Sequence, residues 1–337
     1  MSSMILLLIG CSYDTVEQAC SDRLPGGGSA AAEEFVGRVN CYRRLTGIGS
    51  GRMDAAISEA AQAHSRYFQE HYEYGWYVGD SAVYTLLDSE TGAPVRDWDA
   101  EDRDRDHFTG ENLNARLEAA EYTETHVDWG KWQLYFSYED VGDVPVWVDR
   151  LVAHYQFREA LLAPGWYEAG FGKAEPFGQF VMLRENPDKH RIGRPVLYPM
   201  DGQLGVPPNY EHYPEGSSIE TDPVGFDDDL GIPVTMLVTG DKGAKNSNPY
   251  DLVVDSAKLV GPDGEVDVIV VEPDDIEKLQ YTVAMVPTAP LEEQTTYTAT
   301  IAVTNQAGSY ERTWSFKTGK MRDWAYPDRT YDRDTGL

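Results

Sequence analysis

Residues 54–72, DAAISEAAQAHSRYFQEHY, decide how the first half of the chain is read. Asp54 is a good N-cap, and the next residues favour a helix. Ile57, Ala60, Ala61, His64, Phe68 and His71 recur at helical spacing and share one face. His64 therefore sits inside an apolar stripe. A histidine there is either a core residue satisfied by a partner or the polar centre of a site.

Upstream, a helix is predicted over 30–46. Ser29 caps it, Glu33 and Glu34 suit its positive end, and Gly47 stops it. Phe35, Val39, Tyr42 and Leu45 form its apolar face. Downstream, WDAEDRDRDHFTGEN (98–112) is charged and poor in aliphatics. It lacks the central glycine of a calcium loop and reads as a solvated acidic loop. A short helix is predicted over 112–122. Another is predicted over 144–162, capped by Asp143, with Pro145 in its first turn and Pro164 after its end. GWYEAGFG and QFVMLRE read as two strands joined by a turn.

Pro187 to Pro208 is rich in helix and strand breakers, and the pattern then changes to period two. Tyr297, Ala299, Ile301 and Val303 share one face of TTYTATIAV. PVTMLVT, DLVVDSAKLV, EVDVIVV and RTWSFKT are further strand candidates, which predicts an antiparallel sandwich. The domain reading is a leader at 1–11, a tether at 12–29, an α+β domain at 30–186, a linker at 187–200, a β-sandwich at 201–318 and a loose tail at 319–337.

The chain has 337 residues, 41% of them hydrophobic, enough for about two packed domains. Its net charge of −29 repels phosphate backbones and argues against nucleic acid as a partner. The longest apolar run, Met4 to Ile9, is too short to span a bilayer. The leader ending Leu8-Ile9-Gly10-Cys11 resembles the lipobox of a bacterial lipoprotein, which implies signal-peptide cleavage and a lipid on Cys11. Cys20 and Cys41 then remain as an even pair that an oxidising compartment would allow to bridge; the alternative is two unrelated thiols. The expected location is outside the cytoplasm, lipid-anchored in the outer membrane, periplasm or cell surface.

Four pieces in order resemble the CAP (SCP-like) superfamily of cysteine-rich secretory, antigen-five and pathogenesis-related proteins. They are Asn40-Cys41-Tyr42-Arg43 with Leu45-Thr46-Gly47, Ala60 to Ser65, and Phe108-Thr109-Gly110 with Arg116 and Tyr122. The fourth is Arg158 to Pro164 with Glu168-Ala169-Gly170-Phe171-Gly172. The resemblance covers residues 33–185 and implies an α-β-α sandwich with a cleft that often holds two His and two Glu, sometimes around zinc. Tyr198-Pro199, Gly202-Gln203, Val206-Pro207, Leu291, Thr295 to Thr298 and Thr313 to Phe316 resemble the Ig-like module that some bacterial members append.

On that resemblance His64 matches the first histidine. Glu139, beside Tyr138, matches the glutamate of the family's Gly-Glu-Asn motif, and the literal Gly110-Glu111-Asn112 is the second choice. The second histidine's position holds Phe157. The implied cleft is therefore lined by His64, Tyr138, Glu139 and Phe157. One His and one Glu are too few ligands for zinc, and His71 and His154 would serve only if the fold brought them in. Zinc and calcium are disfavoured, with His64 the weak metal candidate, and no cofactor is expected. The chain also lacks GxSxG, P-loop and dinucleotide fingerprints. The reading is an exported protein that binds a lipid, peptide or wall component around His64, leaning against enzyme activity. The alternatives are a hydrolase using His64 and Glu139, and a surface protein that adheres through its Ig-like half.

Overall fold

The structure is a computed structural model and describes residues 13–20, 28–78, 82–91, 99–123, 129–137, 143–185, 195–212, 223–224, 227–238, 252–276, 279–305 and 308–322. Its first half contains α1 (Val16–Ala19), α2 (Ala30–Leu45), β1 (Arg52–Met53), α3 (Ala55–His71), β2 (Tyr72–Val78) and β3 (Ala82–Asp88). There follow α4 (Leu113–Ala119), β4 (Trp129–Ser137), α5 (Val144–Ala153), α6 (Tyr155–Leu162), β5 (Trp166–Ala174) and β6 (Phe177–Glu185). Ser29 caps α2 by accepting from the Ala32 amide, and Asp54 caps α3 by accepting from the Ala56 and Ile57 amides.

A four-stranded sheet in the order β1-β5-β6-β4 lies between two helical layers. On one face, Ala169, Phe171, Phe180 and Met182 pack with Phe35, Val36 and Val39 of α2 and with Trp147, Val148 and Leu151 of α5. Phe35 stacks on Phe171 with ring centroids 4.2 Å apart. On the other face, Val181 and Leu183 pack with Ile57, Ala60 and Ala61 of α3 and with Leu113 and Leu117 of α4. The α3 side depends on two glycines. A Cβ at Gly170 would lie 2.3 Å from the Ser58 amide nitrogen, and one at Gly172 would lie 2.0 Å from that of Gln62. Strand residues two apart and helix residues four apart both advance about 6 Å, so the two glycines track one turn of α3.

The second half contains β7 (Val196–Tyr198), β8 (Asn209–His212), β9 (Asp227–Gly231), β10 (Val234–Leu237), β11 (Val253–Gly261) and β12 (Gly264–Glu265). It ends with β13 (Val268–Val271), β14 (Thr282–Pro287), β15 (Thr296–Asn305) and β16 (Gly308–Lys317). Two antiparallel four-stranded sheets, β13-β14-β10-β7 and β12-β11-β15-β16, share one apolar core. Tyr297, Ala299, Ile301 and Val303 of β15 are buried in it, as their period of two requires. The chain is thus mixed α+β.

Several boundaries differ from expectation. The stretch read as a tether holds α1, closed by a capping box between Thr15 and Gln18. Cys20 is disulfide-bonded to Cys41 of α2, with Cα atoms 4.8 Å apart. Replacing both cysteines with serine removes a cross-link over 21 positions. The expected loss is about 3 kcal/mol in a urea titration, with new proteolytic cleavage before residue 20. Cys11 and the rest of the leader lie outside the described residues. The linker region holds β7, which pairs with β10. Tail residues 319–322 are tied down: the Gly319 amide donates to Val206, and Arg322 makes two backbone hydrogen bonds to the Asn209 side chain.

The helix expected over 144–162 is broken at His154, whose backbone is extended, and Asp143 makes no side-chain cap bond. At the break the helix carbonyls have another partner. Arg158 donates to the carbonyls of Val152 (2.6 Å) and Ala153 (2.8 Å), which a continuous helix would use for its own amides. Arg158 also reaches across to the Pro233 carbonyl at 2.6 Å and lies over the Tyr198 ring at 4.2 Å. Burial pushes this guanidinium down to about 10, so it stays charged at neutral pH. Glu159 beside it accepts from the Gln280 and Tyr281 amides. Two consecutive charged residues thereby fasten the first half to the second.

Candidate functional site

His64 projects from α3 and is 1% exposed. Its Nδ1 lies 2.7 Å from Glu101 Oε1, and its ring packs 4.6 Å from that of Phe68. Among the described residues the carboxylate partner of Nδ1 is Glu101. Tyr138 and Glu139 lie outside the described residues. Glu101 comes from the stretch read as a solvated loop, yet its side chain is fully buried. Burying that carboxylate alone would be costly, and the loop folds back to satisfy it. The Thr109 amide donates to Oε2 at 2.6 Å, the Gly110 amide at 3.2 Å, and the Thr109 hydroxyl sits 3.2 Å from both oxygens.

Gly110 is required where the loop turns in. A Cβ there would lie 2.6 Å from the Arg116 amide nitrogen. In the second-choice string Gly110-Glu111-Asn112, Gly110 holds Glu101, exposed Glu111 pairs with Arg103, and Asn112 caps α4. Arg116 extends the network. It pairs with Asp99 and donates to Gln133 Oε1 at 3.0 Å, and Gln133 returns its amide to Asp99 Oδ1 at 3.0 Å. Gln179 Nε2 donates to Gln133 Oε1 at 2.6 Å. The loop is also pinned to α3: the Asp102 amide donates to the Tyr67 hydroxyl at 2.8 Å, and His71 Nε2 donates to the Asp106 carbonyl at 2.8 Å.

Burial pushes the Glu101 carboxyl up, but the hydrogen bonds from His64 and Thr109 and the charges of His64 and Arg116 outweigh it and hold it below its usual range. An ionised Glu101 places the proton of the pair on His64 Nδ1. Asp149 has the same sign. Burial raises it, while hydrogen bonds and charge from Arg38 and Arg322 bring it down; Arg38 binds it at 2.7 and 2.9 Å and Arg322 at 2.8 Å. Both carboxyls bind protons more readily when unfolded. Their stabilisation is complete above about pH 5 and is lost as pH falls through the depressed folded values. Urea midpoints should therefore be flat from about pH 7 to 5 and fall below about pH 4, with a shallower fall in Asp149→Asn.

Of the four expected cleft residues, His64 and Phe157 are not brought together, and Tyr138 and Glu139 lie outside the described residues. Phe157 belongs to the core on the α2 side of the sheet, with its ring 4.9 Å from that of His154, whereas His64 belongs to the α3 side. His71 and His154 do not join His64 as ligands: His71 is bound to the Asp106 carbonyl and His154 packs between Tyr155 and Phe157. Among the described residues no three His, Cys, Asp or Glu side chains group as metal ligands. Glu101 is already committed to the backbone and to His64 Nδ1, so it is not itself placed as a zinc ligand. Among the described residues no helix is long and apolar enough to cross a membrane.

No protein-family model and no curated protein matches the chain. Among solved structures it is similar to an extracellular protein containing an SCP domain from Bacillus anthracis str. Ames, at 12% identity and a TM-score of 0.28. The match covers 48% of this chain and 45% of that one, so the chain spans less than half of that protein's length.

Proposed function

We propose that this is an exported, CAP-like binding protein, anchored by lipid on Cys11, whose first half holds a lipid, peptide or wall-derived ligand and whose second half is an Ig-like spacer. In this reading the His64–Glu101 pair is the rigid floor of the binding region and performs no turnover. The observation that carries it is the saturation of Glu101. Both of its oxygens are occupied by His64 or by Thr109 and Gly110, and the pair is sealed from solvent. A general base needs reach to a substrate proton, and an imidazole 1% exposed has little. The fastening of the halves through Arg158 and Glu159 favours one working unit over an independent adhesive module.

The test is mass spectrometry of organic extracts from the exported protein, alongside assays with p-nitrophenyl esters and peptide amides. The expected result is a co-purified lipid or peptide and no hydrolysis. Hydrolysis by the parent protein that is lost in His64→Gln, with the variant still showing the parent's folded circular-dichroism spectrum, would overturn the proposal in favour of an enzyme.

A further inference from the structure

The first described residues are built into the body of the protein. Tyr13 packs against the main core, and Val16 and Ala19 are buried within it. The disulfide holds Cys20, Arg44 donates to the Ala19 carbonyl at 2.9 Å, and Arg38 reaches Cys20 Sγ at 3.4 Å. Across the halves, the Leu204 amide donates to the Asp14 carbonyl at 2.7 Å. The segment 13–20 is thus stapled to both halves.

That contact fixes what lies beside the exit of the chain. The turn at 200–205 is held by Gly202 donating to Ser315, by Lys317 donating to Gln203, and by the buried Gln203 side chain accepting from the Met200 amide. Gly202 and Gly205 have φ of 79° and 69°, which the turn needs and other residues resist. The tip presents Leu204, 44% exposed; among the described residues Val253 is the other exposed large hydrophobic side chain.

We infer that the face formed by Tyr13, Asp14 and the Leu204 turn lies against the bilayer that carries the anchor, with Leu204 at the headgroup level. This rests on the proposed lipid on Cys11. Cys11 is two residues from Tyr13, so the lipid-bearing residue stands within roughly 8 Å of the body. A free tether over 12–29 would have reached roughly 60 Å and left orientation open. The short leash makes this face the one that must meet the membrane, and Leu204 is the apolar side chain placed to enter it. Exposed Asp14 and Asp201 flank the tip, so the favoured surface is zwitterionic, not anionic.

The test uses the chain beginning at Cys11, which contains every described residue, with a photo-crosslinking amino acid at 204 or, as the control, at 253. The Cys11 thiol is coupled to maleimide-headgroup lipid in phosphatidylcholine vesicles, so the geometry is read whether or not cells lipidate Cys11. Lipid capture at 204 should exceed capture at 253 by about fivefold or more, because a short tether raises local concentration. Inserting a flexible segment of about 12 residues between Ser12 and Tyr13 should bring 204 down towards the control. Equal capture at the two positions with the natural leash overturns the inference. Mass analysis of the N-terminal peptide from the exporting cell's membranes tests the anchor separately; an unmodified Cys11 there sinks the lipoprotein reading, whatever the vesicles show.

Discussion

Gly172→Ala is expected to cost about 3 kcal/mol or more, enough to leave a marginal fold largely unfolded. The added Cβ would lie 2.0 Å from the Gln62 nitrogen and 2.2 Å from the Ala61 carbonyl carbon. Both atoms are helix backbone, so neither can swing aside as a side-chain tip would. The helix must lift from the sheet, and α3 carries His64. Gly49→Ala is the control, because a Cβ there meets nothing within 4 Å. Its urea midpoint should match the parent's, while that of Gly172→Ala should collapse. An unmoved midpoint in Gly172→Ala would mean that α3 does not ride directly on β5.

Glu101→Ala carries the second large effect, an expected loss of about 3–5 kcal/mol. Truncation leaves the Thr109 and Gly110 amides without their acceptor, beside His64 and fully buried Arg116. Glu101→Gln keeps an acceptor and most of the volume but loses the charge, so its cost should be smaller, about 1–2 kcal/mol. The ordering Ala worse than Gln worse than parent, read from urea titrations at neutral pH, checks the burial of this carboxylate. A solvated loop would show all three alike.

Much of the fold was legible because local signals agreed with the packing. Ser29 and Asp54 are caps whose bonds form as their sequence context suggests. The apolar stripe of α3 and the alternation in β15 report the faces that are buried. Non-local features were hidden. Nothing near residues 144–162 says that Arg158 will take the carbonyls of Val152 and Ala153 where the helix breaks, because its other partner, Pro233, lies far along the chain. β7 was masked by prolines, although Tyr198 and Val196 join the first half's core.

The site was half legible. His64 announced itself by sitting in an apolar stripe. Glu101 was lost among the charges of WDAEDRDRDHFTGEN, where composition reads as solvent-facing. The available signal was Phe108-Thr109-Gly110, a small-residue turn whose amides return to hold the carboxylate. That return is a tertiary event, which a residue-by-residue reading of polarity does not express.

The most direct test of the account is a double-mutant cycle between His64→Ala and Glu101→Ala, each measured by urea unfolding at neutral pH. A buried pair 2.7 Å apart predicts a coupling energy of about 2 kcal/mol. Additivity within about 0.5 kcal/mol would contradict the pairing on which the proposed site is built.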